Sequence, residues 1–304
     1  MISVIMIAYN AEAFIEESIK SIINQTHTEW ELIIVDDGSI DETKEIINRL
    51  GKSEKRIKYI FQNNSKQGIA RNTGVLHASG ELIAFLDADD LWLPNRLEVT
   101  LKEFNNNDCD LLFSDAFISH GDQSIVNDEI RFDVKNANYA GRPALEHFLE
   151  YNRIPLLTTL IKKQALETAG MFSNRGIAED YEMWLKLLLL DFKFTSISIP
   201  LAIYRAHDKS TTSHDRIAVD DCIEMIYALG KNPIYNTEEF LSCYLKLWYK
   251  RKLDQIEDFK DYLSFIKILK KQNKDNARLQ IASSLFLNAF TFKVHKKIIY
   301  YVLK

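Results

Sequence analysis

The chain has 304 residues, 46% hydrophobic and 27% charged, with a formal net charge of −5. This is the make-up of an ordinary globular protein, long enough for two domains or for one large domain with an appendage. No apolar run approaches the roughly 20 residues of a membrane span, and Met1 to Ala8 lacks the basic start of a signal peptide, so a cytoplasmic protein is expected. Cys109, Cys222 and Cys243 are scattered without CxxC spacing, which argues for reduced thiols and against a zinc site. The charge is uneven: residues 231–304 hold 15 Lys/Arg against 7 Asp/Glu, net +8, which leaves −13 for residues 1–230. A basic C-terminal part on an acidic protein suits an anionic surface, membrane or nucleic acid.

Ser3 to Ala8 reads as a buried strand ended by Tyr9-Asn10. Phe14, Ile15, Ile19, Ile22 and Ile23 then recur at helical spacing behind Glu12, Glu16 and Glu17, acids that suit a helix start. Trp30 to Val35 is a second strand closed by Asp36-Asp37-Gly38-Ser39, and Ser39 or Asp41 is expected to cap a helix to about Leu50. Ile57 to Phe61 is a third strand, and Gly68 to about Ala78 a third helix. Leu82 to Leu86, five apolar residues that run into Asp87-Ala88-Asp89-Asp90, read as a fully buried strand tipped with carboxylates. Strands and helices alternate with short connections, so the expected fold is α/β with a doubly wound, mostly parallel sheet. Ligands of such sheets sit beyond the carboxyl ends of the strands, which makes Tyr9-Asn10, Asp36-Asp37 and Asp87 to Asp89 one candidate nucleotide site. Asp87 and Asp89 could offer hard oxygens to Mg2+ or Mn2+; equally, the cluster could be a helix start with Asp90 as cap ahead of Pro94. Neither GxGxxG nor GxxxxGK[ST] is present.

Downstream, Pro94 to Asn105 reads as a helix, Asp110 to Ser119 as a strand, residues 120–140 as a flexible polar loop and Pro143 to Tyr151 as a helix. Leu156 to Ile161 reads as a strand, and Lys163 to Ala169 as a helix stopped by Gly170. Glu179-Asp180-Tyr181-Glu182-Met183-Trp184 opens an apolar helix, where acids alone would suggest capping. Phe194 to Ile199 is a strand, and Tyr204, Arg205 and His207 lead into a polar segment at 208–213 where a lone His is usually solvated. Helices are expected at 215–229, 237–252, 255–271, 277–288 and 294–303, with a boundary at Gly230 to Pro233. The last combines lysines with Tyr, Ile and Val, a pattern that serves a membrane-interface helix or a terminal helix docked on its neighbours.

Taken in order, Ile7-Ala8-Tyr9-Asn10, Gln25-Thr26, Val35 to Ser39, Gly68 to Asn72, Phe85 to Asp90, Glu179-Asp180-Tyr181 and Tyr204 to His207 resemble glycosyltransferase family 2 over about residues 1–213. Residues 214–304 match no motif. The resemblance implies the Rossmann-like GT-A fold, with a nucleotide-binding half at about 1–105, an acceptor half at about 106–213 and a basic helical extension at 214–304. It implies an inverting, nucleotide-sugar-dependent transferase in which Ala8, Tyr9, Asn10, Asp37, Arg71, Asp87 and Ala88 face the nucleotide. Asp89 and His207 would hold Mn2+ or Mg2+, Asp180 would be the general base, and Glu179 and Trp184 would shape the sugar and acceptor side. The expected donor is a nucleotide-diphosphate sugar, UDP first. The expected acceptor is a glycan or lipid-linked glycan of bacterial surface polysaccharide, met at the inner face of the plasma membrane with residues 231–304 as a peripheral contact. Nucleic acid is not expected. Two other functions stay open: a nucleotidyltransferase, which would want a basic glycine-rich loop after the first strand, and a binding module without turnover, which would lack Asp87, Asp89 or Asp180.

Overall fold

The computed structural model describes residues 1–120, 130–207, 215–284 and 292–303, in two compact units, Met1–Ser210 and Thr211–Lys304. In the first unit β1 (Ile2–Ala8), α1 (Ile15–Ile23), β2 (Trp30–Asp36), α2 (Thr43–Ser53), β3 (Ile57–Phe61), α3 (Gln67–His77) and β4 (Leu82–Phe85) alternate without interruption. The four strands pair in parallel in the order β3, β2, β1, β4. β1 and β2 are buried almost throughout, which is why they read as continuous apolar runs rather than as alternation. Ala8 partners Asp36 and Ile5 partners Phe85, so the ends of β1, β2 and β4 open on one edge of the sheet.

The second half of the sheet is mixed. After β5 (Leu91–Trp92), α4 (Arg96–Asn106), β6 (Leu111–His120), β7 (Ala137–Tyr139) and α5 (Gly141–Glu150), a 3-10 turn (Leu156–Thr158) leads into β8 (Leu160–Lys162). α6 (Lys163–Thr168), α7 (Glu179–Leu189) and β9 (Phe194–Ala206) complete the unit. β8 lies between β4 and β6 and is antiparallel to both, whereas β9 runs parallel to β6 and carries β5 and β7 antiparallel along it.

Several local expectations are corrected. The region 120–140 is not a plain loop, because β7 pairs with β9 and Arg131 bridges to Phe117; residues 121–129 of it lie outside the described residues. Leu156 to Thr158 turns instead of extending, since both threonines that follow Leu157 bond back to carbonyls three residues upstream, Thr158 to Pro155 and Thr159 to Leu156. The break expected after Ile199 is absent: β9 is one 13-residue strand, and the irregularity around Pro200 is taken up as two register shifts in its ladder with β6. Asp41, one of the two residues expected to cap α2, does so: its Oδ1 accepts from Thr43 N, the first N–H of the helix, and its Oδ2 from Glu12 N, while Glu42 beside it makes no side-chain cap bond. The polar segment 208–213 and the stretch 285–288 of an expected helix fall on residues 208–214 and 285–291, outside those described.

The second unit is helical: α8 (Asp215–Lys231), α9 (Glu238–Gln255), α10 (Phe259–Gln272), α11 (Ala277–Ser284) and α12 (Phe292–Val302). Leu241, Leu245, Trp248, Tyr249, Tyr262, Phe265, Leu269 and Ile299 form its apolar interior. Gly230 ends within α8, and Asn232 to Tyr235 make the turn into α9. α12 docks by one face: Ile299 and Leu303 are buried, and buried His295 bridges Tyr262 Oη and Ala282 O, each at 2.7 Å. Val294 and Tyr301 point outward. Among the described residues no helix is long and apolar enough to cross a membrane.

Candidate active site

At the tips of β1 and β2 the backbone is tied together before any ligand arrives. Asp37 N donates to Ala8 O at 2.8 Å. Asp36 is fully buried; its carboxylate accepts from Ser39 N and from Tyr59 Oη, at 2.8 Å each. Asn10 takes a left-handed φ of 49°, its N–H donates to Ser39 Oγ and its Oδ1 accepts from Ile40 N. Asn10 therefore shapes the loop with its backbone N–H and side-chain oxygen. Asp37 uses one carboxylate oxygen, Oδ1, for Gln62 Nε2 at 2.7 Å and Ser65 N at 2.9 Å, so its other oxygen is the acceptor on offer. Tyr9 stands 55% exposed at the rim, a ring face open to stacking. Ala8 is buried and contributes a small surface at the strand end.

β4 stops at Phe85, and Asp87 and Asp89 splay from the turn that follows. Both are about one-third exposed, Asp87 against Arg71 Nη2 at 3.0 Å and Asp89 Oδ2 against His207 Nε2 at 3.1 Å. His207 is not solvated: its ring stacks on Phe14 with centroids 5.0 Å apart and planes 15° off parallel. Asp90 does not cap α4, which has no side-chain cap bond; its buried carboxyl accepts from Arg205 N at 2.9 Å. Burial, then Asp89 and Asp87, push the Asp90 carboxyl well above the ordinary range. Burial and Asp87 also raise Asp89, while His207 pulls it down.

α3 brings the third part. Asn72 clasps the backbone of Phe172 through both side-chain ends, at 2.8 and 2.9 Å, and Gly68 packs so closely on Ser173 that a Cβ would lie 2.1 Å from its carbonyl oxygen. This latch sets Arg71, 3% exposed, between Asp87 and Glu179, to which its Nη1 donates. Burial acts to lower the Arg71 pKa, but Asp87 and Glu179 outweigh it and the net shift is upward. Glu179 is equally buried, and there desolvation wins over Arg71, so its carboxyl is raised to about 7. Its neighbour Asp180 is raised too, by burial first and against the pull of Arg71. Asp180 accepts from Asn152 Nδ2 at 3.2 Å and from Tyr181 N at 2.6 Å. A carboxylate raised in this way is a better proton acceptor at neutral pH than an ordinary one.

The structure thus gathers Arg71, Asp87, Glu179 and Asp180 around one guanidinium, and Asp89 with His207 around one contact. One expectation is corrected: Trp184 is fully buried in α7 with its indole N–H unpartnered among the described residues, so it supports the helix from within. Glu179 pairs with Arg71 through one oxygen. Capping is also not what the acids of α7 do, since no side-chain cap bond forms. Sequence reading missed Arg205, Phe14, Ser18 and Asn152, which lie far along the chain from the groups they hold; only the Tyr204-Arg205-Ala206-His207 motif pointed toward the first. Among the described residues no three His, Cys, Asp or Glu gather as a closed cation cage. Asp89 and His207 offer one oxygen and one nitrogen on a partly open edge, a donor set that would suit a divalent cation such as Mn2+ or Mg2+ if other oxygens completed its shell.

One edge of the α/β sheet thus presents the carboxylates of Asp87 and Asp89, the unbonded oxygen of Asp37 and a raised Asp180, at the strand ends where ligands of such sheets bind. The family description "Glycosyl transferase family 2" matches residues 3–159. TuaG of Bacillus subtilis, a glycosyltransferase ascribed to teichuronic acid biosynthesis, is 32% identical over 215 residues, 70% of this chain and 82% of its own. WfgD of Escherichia coli, a UDP-Glc:α-D-GlcNAc-diphosphoundecaprenol β-1,3-glucosyltransferase, is 33% identical over 196 residues, 62% of this chain and 70% of its own. Among solved structures, Staphylococcus aureus TarS 1–349 in complex with UDP-GlcNAc superposes with a TM-score of 0.72 at 17% identity, covering 99% of this chain and 90% of that one. The mannosyltransferase PcManGT of Pyrobaculum calidifontis, in complex with GDP-Man and Mn2+, gives 0.58 at 16% identity over 98% and 84%. The chain belongs to glycosyltransferase family 2 and has the GT-A fold.

Proposed function

We propose that the protein is an inverting glycosyltransferase that moves a hexose or N-acetylhexosamine from a UDP-sugar to a glycan or lipid-linked glycan during assembly of bacterial surface polysaccharide. The observation that supports this reading is the Arg71 guanidinium, which bonds Asp87 beyond the tip of β4 and Glu179 at the start of α7 and would join the donor side to Asp180 in one site. The names of TuaG and WfgD support the polysaccharide setting, and the UDP-GlcNAc held by TarS supports the donor.

Tyr9 would lie against the base and the free oxygen of Asp37 would accept from base or ribose. Asp89 and His207 would hold a divalent cation, Mn2+ or Mg2+, whose chemistry when bound is to neutralise the charge that develops on the departing diphosphate. Asp180 would take the proton from the acceptor hydroxyl as that oxygen attacks the anomeric carbon from the face opposite the leaving nucleotide, which inverts the centre. Asn152 would steer the Asp180 carboxylate by holding one of its oxygens. Residues 231–304, net +8, would contact the anionic inner face of the plasma membrane where a lipid-linked acceptor resides.

The test is a panel of nucleotide sugars, with and without Mn2+, assayed for release of free nucleotide. One UDP-sugar should be turned over, with Mn2+ required and Asp89→Ala inactive. A panel in which Asp89→Ala matches wild type removes the cation from the scheme, and one in which no nucleotide sugar is consumed removes the reaction.

A further inference from the structure

We propose that Arg205 is the positioning residue that assembles the Asp89–His207 pair, with α1 as its anchor; the inference rests on the cation reading above. Arg205 sits near the end of β9, opposite Ser119 of β6, and is 4% exposed. Its Nε donates to the main-chain carbonyl of Asp89, and its own backbone N–H donates to Asp90 Oδ1. Nη1 pairs with Glu17 Oε2 at 2.6 Å, and Nη2 donates to Ser18 Oγ at 3.1 Å. Ser18 Oγ in turn donates to Ala88 O at 2.7 Å. The carbonyls of Ala88 and Asp89, in the turn that carries both exposed carboxylates, are therefore held by one guanidinium and one hydroxyl.

The same guanidinium lies 5.0 Å from the centre of the Phe14 ring, and that ring is the one on which His207 stacks. Arg205 thus acts on both partners. It fixes the backbone of Asp89 directly, and it fixes His207 through Ala206, the one residue that joins them, and through Phe14. Asp89 and His207 come from segments 118 positions apart, and their 3.1 Å approach depends on β9 and the β4 turn keeping one register. A guanidinium is suited to this because its five donors lie in one plane and can serve a carbonyl, a hydroxyl and a carboxylate together; a lysine ammonium has no such spread. Removing an outer partner that orients a cation ligand typically costs about 10- to 100-fold in affinity.

The experiment uses the full chain and Mn2+ with UDP. Free Mn2+ is read by its paramagnetic resonance signal, and UDP binding without metal is measured by calorimetry. Arg205→Lys and Ser18→Ala should each weaken Mn2+ binding to the UDP complex, by at least tenfold for the first and severalfold for the second, while the metal-free UDP affinity and the unfolding temperature stay near wild type. Glu17→Gln, which leaves both carbonyl contacts in place, should change Mn2+ binding less than threefold. If Arg205→Lys and Ser18→Ala bind Mn2+ like wild type, the positioning role is wrong while the cation reading stands. A parallel loss of metal-free UDP affinity and of stability in both variants would make the role a general structural one. A wild-type protein that gains no Mn2+ affinity from UDP overturns the cation reading and this inference together.

Discussion

Arg71→Met isolates the central ionic contact. The guanidinium is 3% exposed and serves two carboxylates of unequal fate: Asp87 is one-third exposed and can be hydrated when released, whereas Glu179 is 3% exposed and its Oε2 has no partner among the described residues. The cost therefore falls on Glu179. Breaking one side of a buried pair costs about 3–5 kcal/mol when the remaining charge stays ionised. In wild type the folded Glu179 carboxyl, at about 7, binds its proton more tightly than the unfolded one at 4.5. Its contribution to stability is thus full below 4.5 and is lost as pH rises toward 7. Loss of Arg71 raises the folded value further, so the variant goes on losing stability above pH 7 where wild type has levelled off. Each additional unit costs about 1.4 kcal/mol. Urea unfolding followed by tryptophan fluorescence should show a deficit that is larger at pH 8.5 than at pH 6. A deficit equal at the two pH values, or below about 1 kcal/mol at pH 8.5, would refute the assignment of Glu179 as the group that Arg71 holds ionised.

Gly68→Ala should destabilise by about 1–3 kcal/mol in urea, because its Cβ would meet a backbone carbonyl at 2.1 Å and neither main chain can yield freely; activity should fall with it, since the same helix carries Arg71. Tyr9→Ala should leave the unfolding midpoint unchanged, because the ring is more than half exposed, and raise KM for the nucleotide sugar by roughly tenfold, the worth of one base stacked on an aromatic ring. Trp184→Phe should keep kcat within a few-fold and cost under about 1.5 kcal/mol by thermal unfolding, as it removes a buried N–H that has no acceptor among the described residues; a collapse of kcat would return Trp184 to the acceptor side.

The parallel half of the fold was readable because β1, β2 and β4 are buried on both faces and its helices are amphipathic at regular spacing, so apolar runs from Ser3 to Ala8 and Leu82 to Leu86 each mark one strand. The mixed half was less so. β5 has two residues and β7 three, too short to carry a period, and β9 reads as ending at Ile199 although its ladder with β6 resumes beyond Pro200 after register shifts. The carboxylates at the strand tips stood out in sequence, but their partners did not. Spacing alone left Asp90 as a cap, the acids of α7 as dipole partners and His207 as a solvated side chain, because what decides each is a group more than 100 positions away: Arg205, Arg71 and Asp89. The burial of Trp184 was equally hidden, since an aromatic one turn beyond an acid fits a pocket wall and a helix core alike.

The proton acceptor is where the account is most exposed, and Asp180→Asn measures it. Asparagine keeps the shape and can still meet Asn152 and Tyr181 N, but it cannot take a proton. With the nucleotide sugar that the wild type consumes, turnover should fall by about 10²–10⁴-fold, while calorimetry finds UDP bound with Mn2+ within twofold of wild type. Turnover at the wild-type rate in that variant would contradict the account.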